Sequence, residues 1–181
     1  MNKLRLLSFI LFIISQSALS HPVIYKDGIV YWGSFGPAMN TQRVSYTLEP
    51  TYSIELNSSW FLNVDDYRDY TLGANYLFKR WLNFDSQGNI YGAVHTGHYK
   101  DDNGEGSVNH LMLMADWEDR NYYTAGSVMG FYYDGEERYK YSYRAGFAPY
   151  VAGMNTLQNW LIVKFDYFKE EDKKVLVTPL M

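Results

Sequence analysis

The sequence predicts an all-β chain, an antiparallel up-and-down transmembrane β-barrel of 8–10 strands. Three observations predict it. Apolar and polar residues alternate with period two along most of the chain, and no sustained 3.6-residue period appears. The alternating runs are long, close to the ~9–11 residues a tilted strand needs to cross a bilayer and beyond the ~5–6 usual in soluble sheets. The face opposite the apolar one carries charge at mid-strand (Lys140, Arg144, Lys164, Asp166). A polar lumen accommodates such charges; a soluble core does not.

The first element is a targeting segment. Lys3 and Arg5 form a basic start, Leu6 to Ile14 an apolar run of nine residues, and Ala18-Leu19-Ser20 a small-residue cleavage site before His21. This is the three-part pattern of a secretory signal peptide, and nine residues are too few to span a bilayer. The expected organisation is a signal peptide over 1–20 and a single barrel domain over 21–181. Strands are expected at 29–35, 42–49, 52–61, 69–78, 89–99, 107–117, 121–133, 138–148, 157–168 and 174–181. Turn chemistry separates them. Glu49-Pro50-Thr51, Asp85-Ser86-Gln87-Gly88 and the loop from Asp101 to Gly106 are polar breaks. Asp134-Gly135 is the strongest hairpin signal, because both central residues of a type I′ turn need positive φ. Apolar faces begin and end in aromatics: Tyr52 and Trp60, Tyr70 and Phe78, Tyr139 and Phe147. Amphipathic rings at the ends of an apolar band suit lipid–water interfaces.

Composition excludes several functions. Without Lys3 and Arg5 the chain carries 14 basic and 20 acidic residues, a net charge of −6, with no basic cluster to neutralise phosphates, so no nucleic-acid partner is expected. The chain has no cysteine, which excludes a disulfide scaffold, a thiolate metal site and a lipidated N-terminal cysteine. No Gly-x-Ser-x-Gly turn appears, and Gly104-Glu105-Gly106 sits in a hairpin loop rather than before a helix. No catalytic residue is assigned.

The sequence has four histidines, His21, His95, His98 and His110, as candidate metal ligands. His95 and His98 are three apart, so they point to opposite faces of a strand. His110, Met112 and Met114 share a face. A two-residue loop after Glu118, with Glu118 opposite Asn121, puts His110 opposite Met129 and Met112 opposite Ser127. The Asp134-Gly135 turn pairs Tyr133 with Glu136 and Tyr141 with Val128. That register gathers His110, Met112, Met114 and Met129 in the lumen with Asp116, and turns Leu111, Leu113, Ala115 and Trp117 outward. Thioethers with imidazole suit Cu(I), whereas methionines also simply fill irregular interiors. His21, as a mature N-terminus, offers an α-amine and an imidazole; this resembles the histidine brace of copper oxygenases, for which a second histidine is not assigned. The metal candidates are therefore His21, His110, Met112, Met114 and Met129, with copper as the alternative to no cofactor.

In strand length, alternation and aromatic ends the chain resembles the small outer-membrane β-barrels of Gram-negative bacteria. The resemblance covers nearly all of residues 21–181. Members of that class usually end in a strand closing on Phe or Trp. This chain ends Val175-Leu176-Val177-Thr178-Pro179-Leu180-Met181, which reads as half a hairpin lacking a last strand. With 29–35 as a strand, the count is ten and the barrel can close. The resemblance implies an outer-membrane location, with the periplasm as alternative. It implies outer-membrane lipid and an unknown small ligand as partners. The expected role is a non-enzymatic envelope protein, structural or ligand-binding. Eight to ten strands leave an interior that side chains fill, which excludes a wide porin. The alternatives are metal handling, a soluble periplasmic binder, and a barrel enzyme acting on lipid or peptide. The enzyme would use acidic rims at Asp65, Asp66 and Asp69 beside Tyr67 and Arg68, or Asp101 and Asp102 beside His98.

Overall fold

The computed structural model describes residues 21–35, 39–61, 66–133, 135–150, 160–169 and 175–180. The signal peptide expected over 1–20, Asp65, Asp134 and the start of the strand expected from 157 lie outside them. Ten strands follow one another in the sheet in chain order, all antiparallel. They are β1 (Ile29–Phe35), β2 (Met39–Glu49), β3 (Tyr52–Phe61), β4 (Arg68–Leu82), β5 (Ser86–Lys100), β6 (Glu105–Asp119), β7 (Tyr122–Tyr133), β8 (Glu136–Phe147), β9 (Leu161–Phe168) and β10 (Val175–Leu180). Among the described residues there is no helix.

The sheet curls into a half-barrel, and side chains from distant strands meet in its interior. Phe61 on β3 packs on Phe168 of β9 with ring centres 5.8 Å apart. Lys140 Nζ on β8 lies 3.8 Å from the Met39 sulfur on β2. Arg144 on β8 reaches to 5.5 Å from the Trp32 ring on β1. β1 and β10 are the two edges, and no ladder joins them among the described residues. Pro179, which has no backbone N–H, sits in edge strand β10.

Alternation fixes which side chains face inward. Along β6, Val108, His110, Met112, Met114 and Asp116 are buried while Leu111, Leu113 and Trp117 are exposed. Along β3, Ser53, Glu55, Asn57 and Ser59 are buried while Ile54, Leu56 and Trp60 are exposed. The same holds for Lys140 and Ser142 against Tyr141 and Tyr143 on β8, and for Lys164 and Asp166 against Val163 and Phe165 on β9. The concave face is thus rich in polar and charged groups, and the convex face is apolar.

One expected register changes. Glu118 pairs with Tyr123, so His110 lies opposite Phe131 and Met112 opposite Met129. The reason is the turn. Asp119 Oδ1 accepts the Asn121 and Tyr122 amides at 2.7 and 2.6 Å, which closes the turn one residue later on each side. Because the shift is two residues, every side chain keeps its face. The other expected pairs, Tyr133 with Glu136 and Val128 with Tyr141, are present, and Gly135 has φ 77° as the turn requires.

The interior is filled at both ends. At the N-terminal end, residues 21–28 fold back into the sheet. Val23 is fully buried against Leu77, Tyr91 and Met114. Ser53 Oγ donates to the Pro22 carbonyl at 2.7 Å, Arg80 to the Val23 carbonyl at 2.9 Å, and the Ile24 amide to Thr47 Oγ1 at 3.2 Å. At the opposite end Phe61, Tyr67, Tyr99, Phe131 and Tyr133 form an aromatic cluster. Tyr67 stacks on Tyr99 at 5.7 Å, and Tyr99 tilts on Tyr133 at 5.0 Å. The charged and histidine side chains lie between these two layers.

Candidate functional site

Two carboxyl–imidazole pairs occupy the middle of the interior, and each exists because a strand between its partners offers a glycine. Neighbouring strands lie ~4.8 Å apart, so residues two strands apart on one face are blocked by whatever side chain stands between them. Glu55 on β3, Gly73 on β4 and His95 on β5 form one row of the sheet. Over Gly73, His95 Nε2 comes within 3.2 Å of Glu55 Oε1. A Cβ on Gly73 would lie 2.1 Å from the Val94 carbonyl oxygen and 2.3 Å from His95 Cδ2. The second pair repeats the device one strand on. Asp69 on β4 is opposite Tyr99, and His110 on β6 is opposite His95, so the line joining them crosses β5 at Gly97. His110 Nε2 lies 3.3 Å from Asp69 Oδ2.

The two histidines are directly opposite across β5 and β6, with ring centres 6.4 Å apart. Other groups hold the carboxyls in place. Ser45 Oγ donates to Glu55 Oε2 at 2.6 Å, Asn75 Nδ2 donates to the same oxygen at 3.1 Å, and the Ser59 amide donates to Asp69 Oδ1 at 3.1 Å. Arg43 Nε stands 3.8 Å from Glu55 Oε1. The imidazoles are held less completely. Their side chains are 2% and 0% exposed, yet neither ring nitrogen of either histidine is aligned for a hydrogen bond. Buried polar atoms without partners are uncommon and call for an explanation.

The facing wall is cationic. Lys164 pairs with Asp166 on its own strand at 2.7 Å, and Ser142 donates to Asp166. The Arg43 and Arg144 guanidiniums lie 5.3 and 5.5 Å from the Trp32 ring. A cavity of about 50 Å³ lies between the walls, lined by His21, Trp32, Arg43, Glu55, Met114 and Arg144 among others.

His21 closes this cavity from the N-terminal side. Its Nδ1 is 3.3 Å from Asp116 Oδ2 and its Nε2 is 3.3 Å from Glu118 Oε1. Its ring stacks on Tyr91 at 6.0 Å. Burial alone would lower the imidazole pKa, but the hydrogen bonds and charges of Asp116 and Glu118 outweigh it and push it up to about 9.

Of the residues expected to bind metal, His110, Met112, Met114 and Met129 share the interior, and His21 lies at the cavity's edge against two carboxyls. His95 points inward and His98 outward, as the three-residue spacing required. Among the described residues no group of three or more His, Asp or Glu side chains is arranged to hold a metal ion. The acidic rims differ from expectation. Asp69 is fully buried beneath the sheet's concave face, because it alternates with outward Arg68 and Tyr70. Asp66 is at the rim, where it accepts bonds from Trp60 and Arg68 at 3.0 Å. His98 lies 3.9 Å from Glu105. Sequence reasoning missed Arg43, the role of His95 as neighbour of His110, and both glycine crossings. The inward parity of Gly73 and Gly97 was a signal, but its meaning needed three strands in register.

Each imidazole lies against a carboxyl in a buried interior, and no hydroxyl is hydrogen-bonded to either ring among the described residues. Comparison with protein families, with curated proteins and with solved structures gave no match.

Two predictions follow from this geometry. Gly73→Ala must displace His95 from Glu55 and is expected to destabilise by about 2–4 kcal/mol. Gly104→Ala, whose Cβ would meet nothing within 4 Å, should stay within about 0.5 kcal/mol of the parent. Urea unfolding midpoints of both variants check this. For His21 the raised pKa means that its stabilisation is complete below 6.5, declines as pH rises, and is gone above about 9. Hydrogen exchange at the Ile24 and Asp27 amides, both bonded to Thr47, should accelerate over that range beyond its intrinsic pH dependence. His21→Gln should remove the excess acceleration.

Proposed function

We propose that this chain is an outer-membrane β-barrel protein of a Gram-negative envelope, non-enzymatic, with a filled polar interior and lipid as its outer partner. The observation that carries this reading is the inverted polarity of the sheet. Leu56, Leu72, Val94, Leu111 and Leu113 are each more than half exposed on the convex face, while Glu55, Asp69, His110, Lys140 and Lys164 are buried on the concave one. A water-soluble barrel places the apolar face inside. Contiguous apolar surface of this kind on a soluble monomer is uncommon and marks an interaction surface. Strand length adds support: β4, β5 and β6 have 15 residues each, enough to span a bilayer at a tilt. Tyr70, Phe78, Trp81 and Trp117 lie toward the strand ends on the convex face, where interfacial rings belong. A convex recess of about 410 Å³, walled by Tyr76, Phe78, Leu111, Leu113 and Tyr139, is almost wholly apolar.

In this reading β1 and β10 pair in the bilayer, because an open edge in hydrocarbon leaves backbone groups without partners. The charged and histidine layer, the inserted residues 21–28 and the aromatic cluster fill the lumen, so the protein conducts poorly. Its role is structural, or it holds a small ligand inside.

Fractionation tests the location. The protein should appear in the outer-membrane fraction and migrate differently on a denaturing gel before and after boiling. A soluble periplasmic band without a heat shift would overturn the proposal. A second test separates lipid from water at the convex face. Leu113→Arg should destabilise by about 2–4 kcal/mol if it faces the bilayer midplane. At a water-exposed leucine the same change stays within about 0.5 kcal/mol.

A further inference from the structure

We infer that His95 and His110, with the thioethers of Met112 and Met129, form a binding site for one soft monovalent metal ion, Cu(I), in the interior. Four observations carry this. First, both imidazoles are buried and neither Nδ1 has a hydrogen-bond partner among the described residues. A buried donor or acceptor left unmade is costly, and a ligand at that point removes the cost. Second, Glu55 and Asp69 stand 3.2 and 3.3 Å from the two Nε2 atoms, close enough to keep each ring's proton there. That leaves Nδ1 with its lone pair. Metal-ligating histidines are characteristically held in this way by a carboxyl on the other nitrogen. Third, the Cδ2–Cγ edge of His95 rests on Gly73 while Nε2 faces Glu55, so Nδ1 lies on the other flank of the ring from that carboxyl. Fourth, the ring centres are 6.4 Å apart. Two metal–nitrogen bonds of ~2.0 Å plus the two ring radii span about 6 Å in line and about 5 Å at a tetrahedral angle, so the rings reach a shared ion by closing roughly 1 Å.

The sulfurs decide the metal. Met112 is the next inward residue after His110 on β6, and Met129 is directly opposite Met112 on β7; both are buried. Imidazole with thioether is a soft set that favours Cu(I) over Mg²⁺ or Ca²⁺. Charge points the same way. Two buried carboxyls, Glu55 and Asp69, are met by two cations, Arg43 on the neighbouring strand β2 at 3.8 Å from Glu55 and Lys140 opposite Met129. The surroundings are therefore nearly balanced and suit a single positive charge better than two. Met114 and His21 fall outside the set. Met114 sulfur is 3.8 Å from an Arg144 nitrogen, and His21 is engaged by Asp116 and Glu118.

The test uses the full chain in nonionic detergent and does not depend on where the protein resides. Cu(I), kept reduced, is added with a chromophoric Cu(I) chelator as competitor. One copper per chain should be retained, and its X-ray absorption should show both nitrogen and sulfur neighbours. His95→Ala and His110→Ala should each weaken retention by at least about tenfold. Met112→Leu, which conserves volume and preserves folding, should reduce the sulfur scattering, leaving that of Met129, and weaken retention. His21→Ala should leave retention unchanged. No retention by the parent chain, retention indifferent to Met112→Leu and to both histidine changes, or loss on His21→Ala would each overturn the assignment.

Discussion

In a curled antiparallel sheet a side chain on the concave face touches its neighbours across one strand spacing, and reaches further only where the intervening residue has no side chain. The interior of this protein depends on that constraint. Gly73 lets Glu55 meet His95 across β4, and Gly97 lets Asp69 meet His110 across β5. Without those crossings Asp69 and the two histidines would be buried in one small volume away from the partners they now meet. Burying a charge unpaired is far more costly than burying a pair. The two crossings are staggered by one strand. That stagger brings the two histidines side by side and leaves their Nδ1 atoms without a hydrogen-bond partner among the described residues.

The same concave face explains how the ends are filled. Mid-strand charge leaves polar groups that neighbouring side chains must satisfy: Ser45 and Asn75 for Glu55, Ser142 and Lys164 for Asp166. Residues 21–28 do this for the N-terminal end, presenting backbone carbonyls to Ser53 and Arg80 and an imidazole to Asp116 and Glu118. The far end is closed by aromatic rings instead. The convex face is largely apolar. It is the surface that, on the proposed reading, hydrocarbon covers.

How far the sequence disclosed this depends on which property is asked. Strand existence and facing were legible, because side-chain direction has period two and survives an even error in register. The displaced β6–β7 register shows it: His110 gained Phe131 as its opposite residue in place of Met129, yet both stayed inside. The strands β4 to β6 run longer than the alternation suggested, since their ends at Lys79–Leu82 and Glu105–Gly106 lack a clear apolar rhythm and are held by pairing. Asp69 was read as a rim carboxylate because it follows Asp65 and Asp66 in the chain; its burial comes from strand parity, which begins at Arg68. The Glu55–His95 pair was not legible at all. It joins residues 40 positions apart over a glycine whose role appears only when three strands are in register. The folding-back of residues 21–28 has no periodic signal either, being held by single hydrogen bonds.

The central claim is that the two faces of the sheet meet opposite environments. A scan of single-cysteine variants along β6 tests it most directly, since the chain has no cysteine of its own and each introduced thiol is unique. Nitroxide labels at positions 107 to 117, in protein reconstituted into phospholipid vesicles, would report access to oxygen, which concentrates in hydrocarbon, and to a water-soluble nickel chelate. The account predicts a period of two, with oxygen access high at 109, 111, 113 and 115 and low at 108, 110, 112 and 114. Nickel access at the odd set, or no alternation along the strand, would contradict it.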